Sequence, residues 1–199
     1  MTGQRPPMAQ STSEEALRAV TIGELAVLGG PVTLAEYDPA WPALFEREAA
    51  CIRSILGDRV RLLEHVGSTS VPGLPAKPII DILLAVPDSS DEAAYVPPLE
   101  AAGYVLRIRE PEWFEHWLFK GPNTSTNVHV FTEGSPEIAS MLAFRDWLRS
   151  QDADQLLYER TKRELAARDW KYVHHYADAK TDVVEAIIAR ALAAAADSP

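Results

Sequence analysis

Glu64-His65-Val66-Gly67-Ser68-Thr69-Ser70-Val71-Pro72-Gly73-Leu74-Pro75-Ala76-Lys77-Pro78-Ile79-Ile80-Asp81-Ile82-Leu83-Leu84 reads as a strand, a tight loop and a second strand. The loop is rich in glycine, proline and hydroxyls. Glycine lets the backbone approach a ligand closely, and loop N–H groups and hydroxyls can surround an anion, so the stretch suits phosphate. The run Ile79–Val86 is nearly all apolar, the pattern of a central strand buried on both faces. Asp81 is its one charge. A lone carboxylate in such a strand needs a partner, either a metal ion or the hydrogen-bond donors of a tight turn.

Toward the N-terminus, Val60–Val66 leads into the loop as a strand, and a helix from about Pro42 to Leu56 precedes it. Proline suits the first turn of that helix, where its missing N–H has no intrahelical partner. Cys51 falls within the apolar pattern and reads as a small core residue. As the only cysteine, it excludes an intramolecular disulfide. Val32–Glu36 alternates as a short strand, and Thr21–Gly30 has no clear pattern. Ser11–Glu14 offers a capping box for a helix through about Val20. Residues 1–11 are polar and terminal, and are expected to be disordered.

Toward the C-terminus, Asp91–Ala102 reads as a helix and Tyr104–Arg109 as a strand. Trp113–Lys120 and Ser125–Phe131 read as two strands joined by Gly121-Pro122-Asn123-Thr124. That loop sets Lys120 opposite Ser125 and His116 opposite His129, side by side on one face. A one-residue slip would separate the two histidines. The last third is helical, over about Pro136–Ser150, Ala153–Arg168 and Tyr176–Ala195, with Leu156, Leu157, Thr161 and Leu165 forming the apolar face of the middle helix. The expected organisation is an N-terminal extension (1–31) and one α/β (α+β) domain (32–199). The domain holds a mixed sheet over about 32–135 flanked by helices, and C-terminal helices over about 136–196.

The 199 residues carry 29 acidic and 19 basic side chains, a net charge of −10. A broad basic face for duplex nucleic acid is therefore not expected, although a local basic pocket for a nucleotide remains compatible. The first residues lack the apolar run of a signal peptide and no segment approaches a membrane span, so a cytoplasmic protein is expected.

Tyr37-Asp38-Pro39-Ala40-Trp41-Pro42, His65-Val66-Gly67-Ser68-Thr69-Ser70-Val71-Pro72-Gly73-Leu74, Lys77-Pro78-Ile79-Ile80-Asp81-Ile82 and Phe144-Arg145-Asp146-Trp147-Leu148-Arg149 resemble the GrpB family. Tyr158 with Lys162 and Tyr176 with Lys180 are similar to its C-terminal pattern, and the resemblance runs from about Val32 to Arg190. It implies a nucleotidyltransferase-like fold and no settled activity. Related domains occur fused to dephospho-CoA kinase, which hints at coenzyme A or nucleotide chemistry.

In the wider superfamily, Gly-Ser precedes two alternating strand acids that bind divalent metal beside a nucleoside triphosphate, and a neighbouring strand adds a third acid. Gly67-Ser68 and Asp81 fit, with twelve residues between Ser68 and Asp81, but the second acidic position is Leu83 and the third falls near His129. The resemblance thus implies nucleotide binding by Gly67, Ser68, Thr69, Ser70, Lys77, Arg145 and Lys180. Asp81 and His129 would be catalytic, and Asp81, His129 and His116 would hold a divalent metal, magnesium or manganese or a softer ion such as zinc. Nucleotidyl transfer from a nucleoside triphosphate to a small acceptor is the expected chemistry. An inactive nucleotide- or coenzyme A-binding module and a His/Asp metal-assisted hydrolase or transferase are the alternatives. Local readings stay open beside these. Lys77 neutralises a phosphate or pairs with Asp81, His65 orients the loop, and Arg145 and Arg149 face one anion or make surface ion pairs.

Overall fold

The computed structural model describes residues 12–122 and 125–196. The first eleven residues, and the disorder expected of them, lie outside the described residues. Helix α1 (Glu14–Val20) starts where Ser13 Oγ accepts from Ala16 N–H at 3.2 Å. Strand β1 (Val27–Gly30) and helix α2 (Trp41–Leu56) follow. Next come β2 (Leu62–Val66), β3 (Ile80–Val86), α3 (Glu92–Ala101), β4 (Val105–Glu110), β5 (His116–Lys120) and β6 (Thr126–Thr132). Helices α4 (Pro136–Ser150) and α5 (Asp152–Ala166), the short strand β7 (Trp170–Tyr172), and helices α6 (Val173–Asp178) and α7 (Thr181–Ala196) complete the chain.

Strands β2 to β6 form one five-stranded mixed sheet in the order β2-β3-β6-β5-β4, flanked by helices. Only β3 and β6 run parallel. β3 is central and buried along almost its whole length, as its unbroken apolar run requires. The face carrying Ile80, Ile82, Leu84, Trp117, Phe119, Val128 and Val130 packs against α2 and α3 in the main core. On the other face, Val66, Leu83, Ala85 and Phe131 pack against Ile138 of α4. The C-terminal helices also clamp the loop after β2: Val71 and Leu74 are buried against Leu148, Tyr158 and Ile187. The same second face carries the half-buried Asp81 and His129, around which the site described below is built.

Several sequence expectations change. Val32–Glu36 is not a strand; Ala35 makes an isolated bridge with Ala76. β1 instead pairs antiparallel with β7, a strand too short for its pattern to stand out. Trp113–Glu115 turns rather than extends, with Phe114 at φ 54° and Glu115 at φ 50°, so β5 begins at His116. Cys51 is exposed, because the buried stripe of α2 runs through Trp41, Phe45, Glu48, Ala49, Ile52 and Leu56 and passes it by. On α5, Leu156 and Leu157 are exposed, and the buried face is Tyr158, Lys162, Leu165 and Ala166. The last predicted helix breaks in two, leaving Lys180 at the junction of α6 and α7. No helix among the described residues is long and apolar enough to cross a membrane.

Candidate functional site

β2 and β3 are antiparallel with Val66 opposite Asp81, so the loop between them returns directly over the carboxylate. Gly67 takes φ 68° and ψ −171°, a conformation close to glycine-only. A side chain there would collide: a Cβ would lie 2.5 Å from Asp81 Oδ2 and 3.0 Å from Asp81 Cβ. Two of the loop hydroxyls turn inward. Ser70 Oγ donates to Gly67 O at 2.6 Å. Thr69 Oγ1 donates to Ile79 O at 3.2 Å and pairs with His65 Nε2 at 3.0 Å. Ser68 is the hydroxyl that reaches across to the Tyr158 phenol. His65 is buried, stacked on Phe45, and burial pushes its pKa down to about 4, so it is a neutral brace for the loop.

Asp81 shares its face of the sheet with β6 residues. Parallel pairing sets Asp81 beside Asn127 and Leu83 beside His129. Asn127 Nδ2 donates to Asp81 Oδ1 at 2.7 Å, and Lys120 Nζ donates to Asn127 Oδ1. His129 Nε2 is 3.6 Å from Asp81 Oδ1. Burial works against the Asp81 carboxylate, but His129, the Asn127 amide and Lys77 outweigh it and hold its pKa below the ordinary value.

The β5–β6 register differs by two residues from the expected one. Lys120 faces Asn127 and Trp117 faces Val130. Because side chains alternate with period two, this shift keeps His116 and His129 on one face. They meet diagonally, with His116 Nε2 3.1 Å from His129 Nδ1 and the rings stacked at 5.3 Å. His116 Nδ1 in turn lies 2.7 Å from Glu110 Oε2, where β4 pairs with β5.

The facing wall supplies positive charge. Lys77 lies 5.4 Å and Lys180 4.5 Å from the centre of the Tyr176 ring. Burial and mutual repulsion lower Lys77 to about 8, and burial lowers Lys180 to about 8. Asp81 attracts both. Lys162 is buried, donates to Pro75 O and lies over the Tyr158 ring. Burial, then Lys180, lowers it to about 7. Each of these lysines has an ordinary value of 10.5 when unfolded, so the unfolded chain binds more protons between about pH 7 and pH 10. Folding stability should therefore rise with pH across that window, and the urea midpoint at about pH 9.5 should exceed that at about pH 7. A midpoint that falls or stays flat would contradict the buried placement of these amines.

Arg145 and Arg149 serve the loop. Arg145 donates to Glu64 Oε2 at 2.7 Å, to His65 O at 3.1 Å and to Asp146 Oδ1 at 2.7 Å. Arg149 donates to Ser70 O at 3.0 and 2.8 Å. Both brace β2 and its loop from α4, so neither offers the free guanidinium of a nucleotide clamp.

Two of the three expected metal ligands face each other, with His129 Nε2 3.6 Å from Asp81 Oδ1. Both ring nitrogens of His116 are engaged by Glu110 and His129. Leu83, at the second acidic position, is fully buried against α4 residues. Among the described residues no three His, Cys, Asp or Glu side chains converge to hold an ion. The donors present do not fit a protein-held pair of ions.

Comparison with known proteins bears out the resemblance. The profile of the GrpB protein family matches residues 31–190. The chain belongs to the GrpB family. A UPF0157 protein of Halalkalibacterium halodurans is 58% identical over 191 residues, covering 94% of this chain and 98% of that one. The crystal structure of the conserved protein GrpB from Enterococcus faecalis is 33% identical and matches with a TM-score of 0.74, over 83% of this chain and 100% of that chain. A dephospho-CoA kinase of Mycolicibacterium paratuberculosis is 32% identical over 168 residues, which span 70% of this chain and 41% of the kinase.

Of the residues expected from sequence, this GrpB-family chain brings together Gly67, Ser68, Lys77, Asp81, His129 and Lys180. Glu110 and Asn127 were not foreseen. Asn127 could have been found by pairing Asp81 with β6, since residues 127, 129 and 131 share a face; nothing in the sequence pattern marks Glu110.

Proposed function

We propose that the cleft binds a nucleotide or a related phosphate ester and transfers its nucleotidyl group to a small acceptor. The phosphates would lie over Gly67 and Ser68 among Lys77, Lys120 and Lys180. The observation that carries this reading is the gathering of those lysines around a single carboxylate, Asp81, in a chain whose net charge is −10. Desolvated ammonium groups bind a polyanion strongly, because the ligand restores the charge partners that burial removes. His129 would accept the proton of an acceptor hydroxyl. The freed oxygen would form the new bond to phosphorus as the bond to the leaving pyrophosphate breaks. Catalysis would come from positioning and charge neutralisation. The relative named a dephospho-CoA kinase makes coenzyme A and adenine nucleotides the first ligands to try.

A second reading is a module that binds the nucleotide without turning it over. It is favoured by Leu83, whose apolar, fully packed position leaves no room for a second carboxylate.

Thermal unfolding with pyrophosphate, nucleoside triphosphates and coenzyme A, with and without magnesium, tests the site. A ligand at about 100 times its Kd should add about 2.7 kcal/mol, a shift of roughly 5–10 °C for a chain of this size. Lys77→Met with Lys180→Met should abolish it. Asp81→Asn removes a negative charge from among the lysines and should tighten metal-free pyrophosphate binding. Binding that needs magnesium and is lost in Asp81→Asn would replace the lysine-based reading with one built on a bridging ion. No shift with any phosphate ligand would sink both readings. Release of pyrophosphate from a bound triphosphate separates the transferase from the binding module.

A further inference from the structure

From the turn between β4 and β5 we infer that Trp113 is a specificity-determining residue of the cleft, the wall on which the aromatic base of a nucleotide lies while its phosphates rest over Gly67 and Ser68. This inference rests on the reading of the cleft as a phosphate site, and it assigns the other end of the same ligand.

The turn is held in a conformation that its residues do not favour. Phe114 and Glu115 take left-handed φ values in succession, 54° and 50°, and neither is the glycine or asparagine that visits this region at little cost. Such strain persists only where the surroundings over-determine it. Here the fully buried Ser89 donates from Oγ to Glu115 O at 2.8 Å, Trp113 N–H donates to Glu110 O at 3.1 Å, and His116 N–H donates to Trp113 O at 3.1 Å. The strain decides where the indole goes. Side chains alternate along a strand, so an extended β5 would carry Trp113 to the face of Trp117, into the core against α2 and α3. The left-handed pair turns it to the opposite face instead. There its ring meets His116 at 5.1 Å and Phe131 at 6.0 Å, both near right angles, and it stays half-buried beside Phe114, Met141 and Leu142.

The site therefore has two chemically different ends, and the strands measure the distance between them. At one end Lys120 pairs with Asn127, which donates to Asp81; at the other His116 stacks on Phe131 at 4.8 Å. Four residues of β5, or of β6, separate the two ends, about 13 Å at the usual rise of a strand. A nucleotide laid along the strands covers that span with its phosphates and ribose. Lys77, Lys120 and Lys180 gather around Asp81 at the first end. The turn at the second carries Glu110, Glu112 and Glu115 among its aromatic rings. Phosphates are drawn to the amines and repelled by the carboxylates, so the ligand lies one way round, with its uncharged ring system at Trp113. Every base has a π-face, so an indole selects a nucleotide over bare polyphosphate rather than one base over another.

Titration calorimetry of the full chain with tripolyphosphate and with ATP, GTP, CTP and UTP, all without magnesium, tests this. Tripolyphosphate carries at least as much charge as the nucleotides, so charge alone gives them no advantage. Wild type should bind the nucleotides roughly 5- to 150-fold more tightly than tripolyphosphate, the usual worth of one base stacked on an aromatic side chain. Trp113→Ala should lower nucleotide affinity to that of tripolyphosphate, and Trp113→Phe should restore part of the preference. Equal binding of nucleotides and tripolyphosphate by wild type would overturn the inference even if no variant folds, and would leave the phosphate reading standing. A preference that survives in folded Trp113→Ala would overturn it too. So would a loss shared equally by tripolyphosphate, the mark of a merely structural indole. If wild type binds none of the five, the phosphate reading falls and the base subsite with it, so the two failures are distinguishable.

Discussion

Gly67→Ala should lower the melting temperature by roughly 6–12 °C and abolish phosphate binding. The backbone at φ 68° and ψ −171° costs a non-glycine residue about 1–3 kcal/mol. The new methyl group would meet Asp81 Oδ2 at 2.5 Å, and such overpacking costs a further 1–3 kcal/mol or so. A total near 3 kcal/mol corresponds to that temperature shift in a chain of this length. The collision can be relieved only by moving the loop or the Asp81 side chain, and either disturbs the floor on which phosphates would rest. Differential scanning calorimetry and a pyrophosphate titration check both parts. A variant melting within about 2 °C of wild type and binding normally would mean that Asp81 does not lie across Gly67.

Phe119→Ala should be the more destabilising change, at about 3–5 kcal/mol. Phe119 is fully buried on β5, edge-on to Tyr95 of α3 at 6.2 Å, in the core between the sheet and α2 and α3. Removing the ring leaves a cavity that the surrounding strands can only partly close. Domains of this kind are stable by roughly 5–15 kcal/mol, so the variant should unfold at a much lower urea concentration with an unchanged slope. Its neighbours on the strand, Leu118 and Lys120, point to the other face. Where it remains folded, then, it should bind pyrophosphate as wild type does. Loss of binding without loss of stability would place Phe119 in the cleft instead.

The sheet was legible because its central strand announces itself: eight nearly uninterrupted apolar positions bounded by a proline and a turn permit little else. The paired histidines were legible for a subtler reason. The assumed loop length gave the wrong register, but an error of two residues returns every side chain to its own face, and His116 still meets His129. An error of one would have hidden the pair. Glu110 escaped because it marks the end of a strand, where a carboxylate looks like any solvated charge. Its contact with His116 exists only through β4–β5 pairing. The partners of Arg145, expected as a phosphate ligand, were hidden for a similar reason. Its residue type suits an anion, but the carbonyl of His65 and the carboxylates of Glu64 and Asp146 reach it first. On α5, Leu156 and Leu157 follow an apolar pattern, yet the helix buries Tyr158 and Lys162 toward the cleft side and leaves the leucines in water. Helical periodicity gives a stripe, and tertiary packing chooses which stripe is covered.

The parallel pairing of β3 with β6 has a kinetic consequence. Asp81 and Asn127 are 46 residues apart in the chain, and the intervening segment contains a helix and two strands. Parallel strands cannot be zipped from a hairpin, so closing this crossover comes at a large loss of chain entropy before any ladder bond offsets it. The β2–β3 and β5–β6 hairpins can form early from local contacts, each holding one half of the cleft. The carboxylate on β3 and the amide and imidazole on β6 meet only when the two hairpins dock. Refolding followed by ligand capture should therefore lag behind refolding followed by helical content, because the site is assembled by a non-local closure that follows the local hairpins.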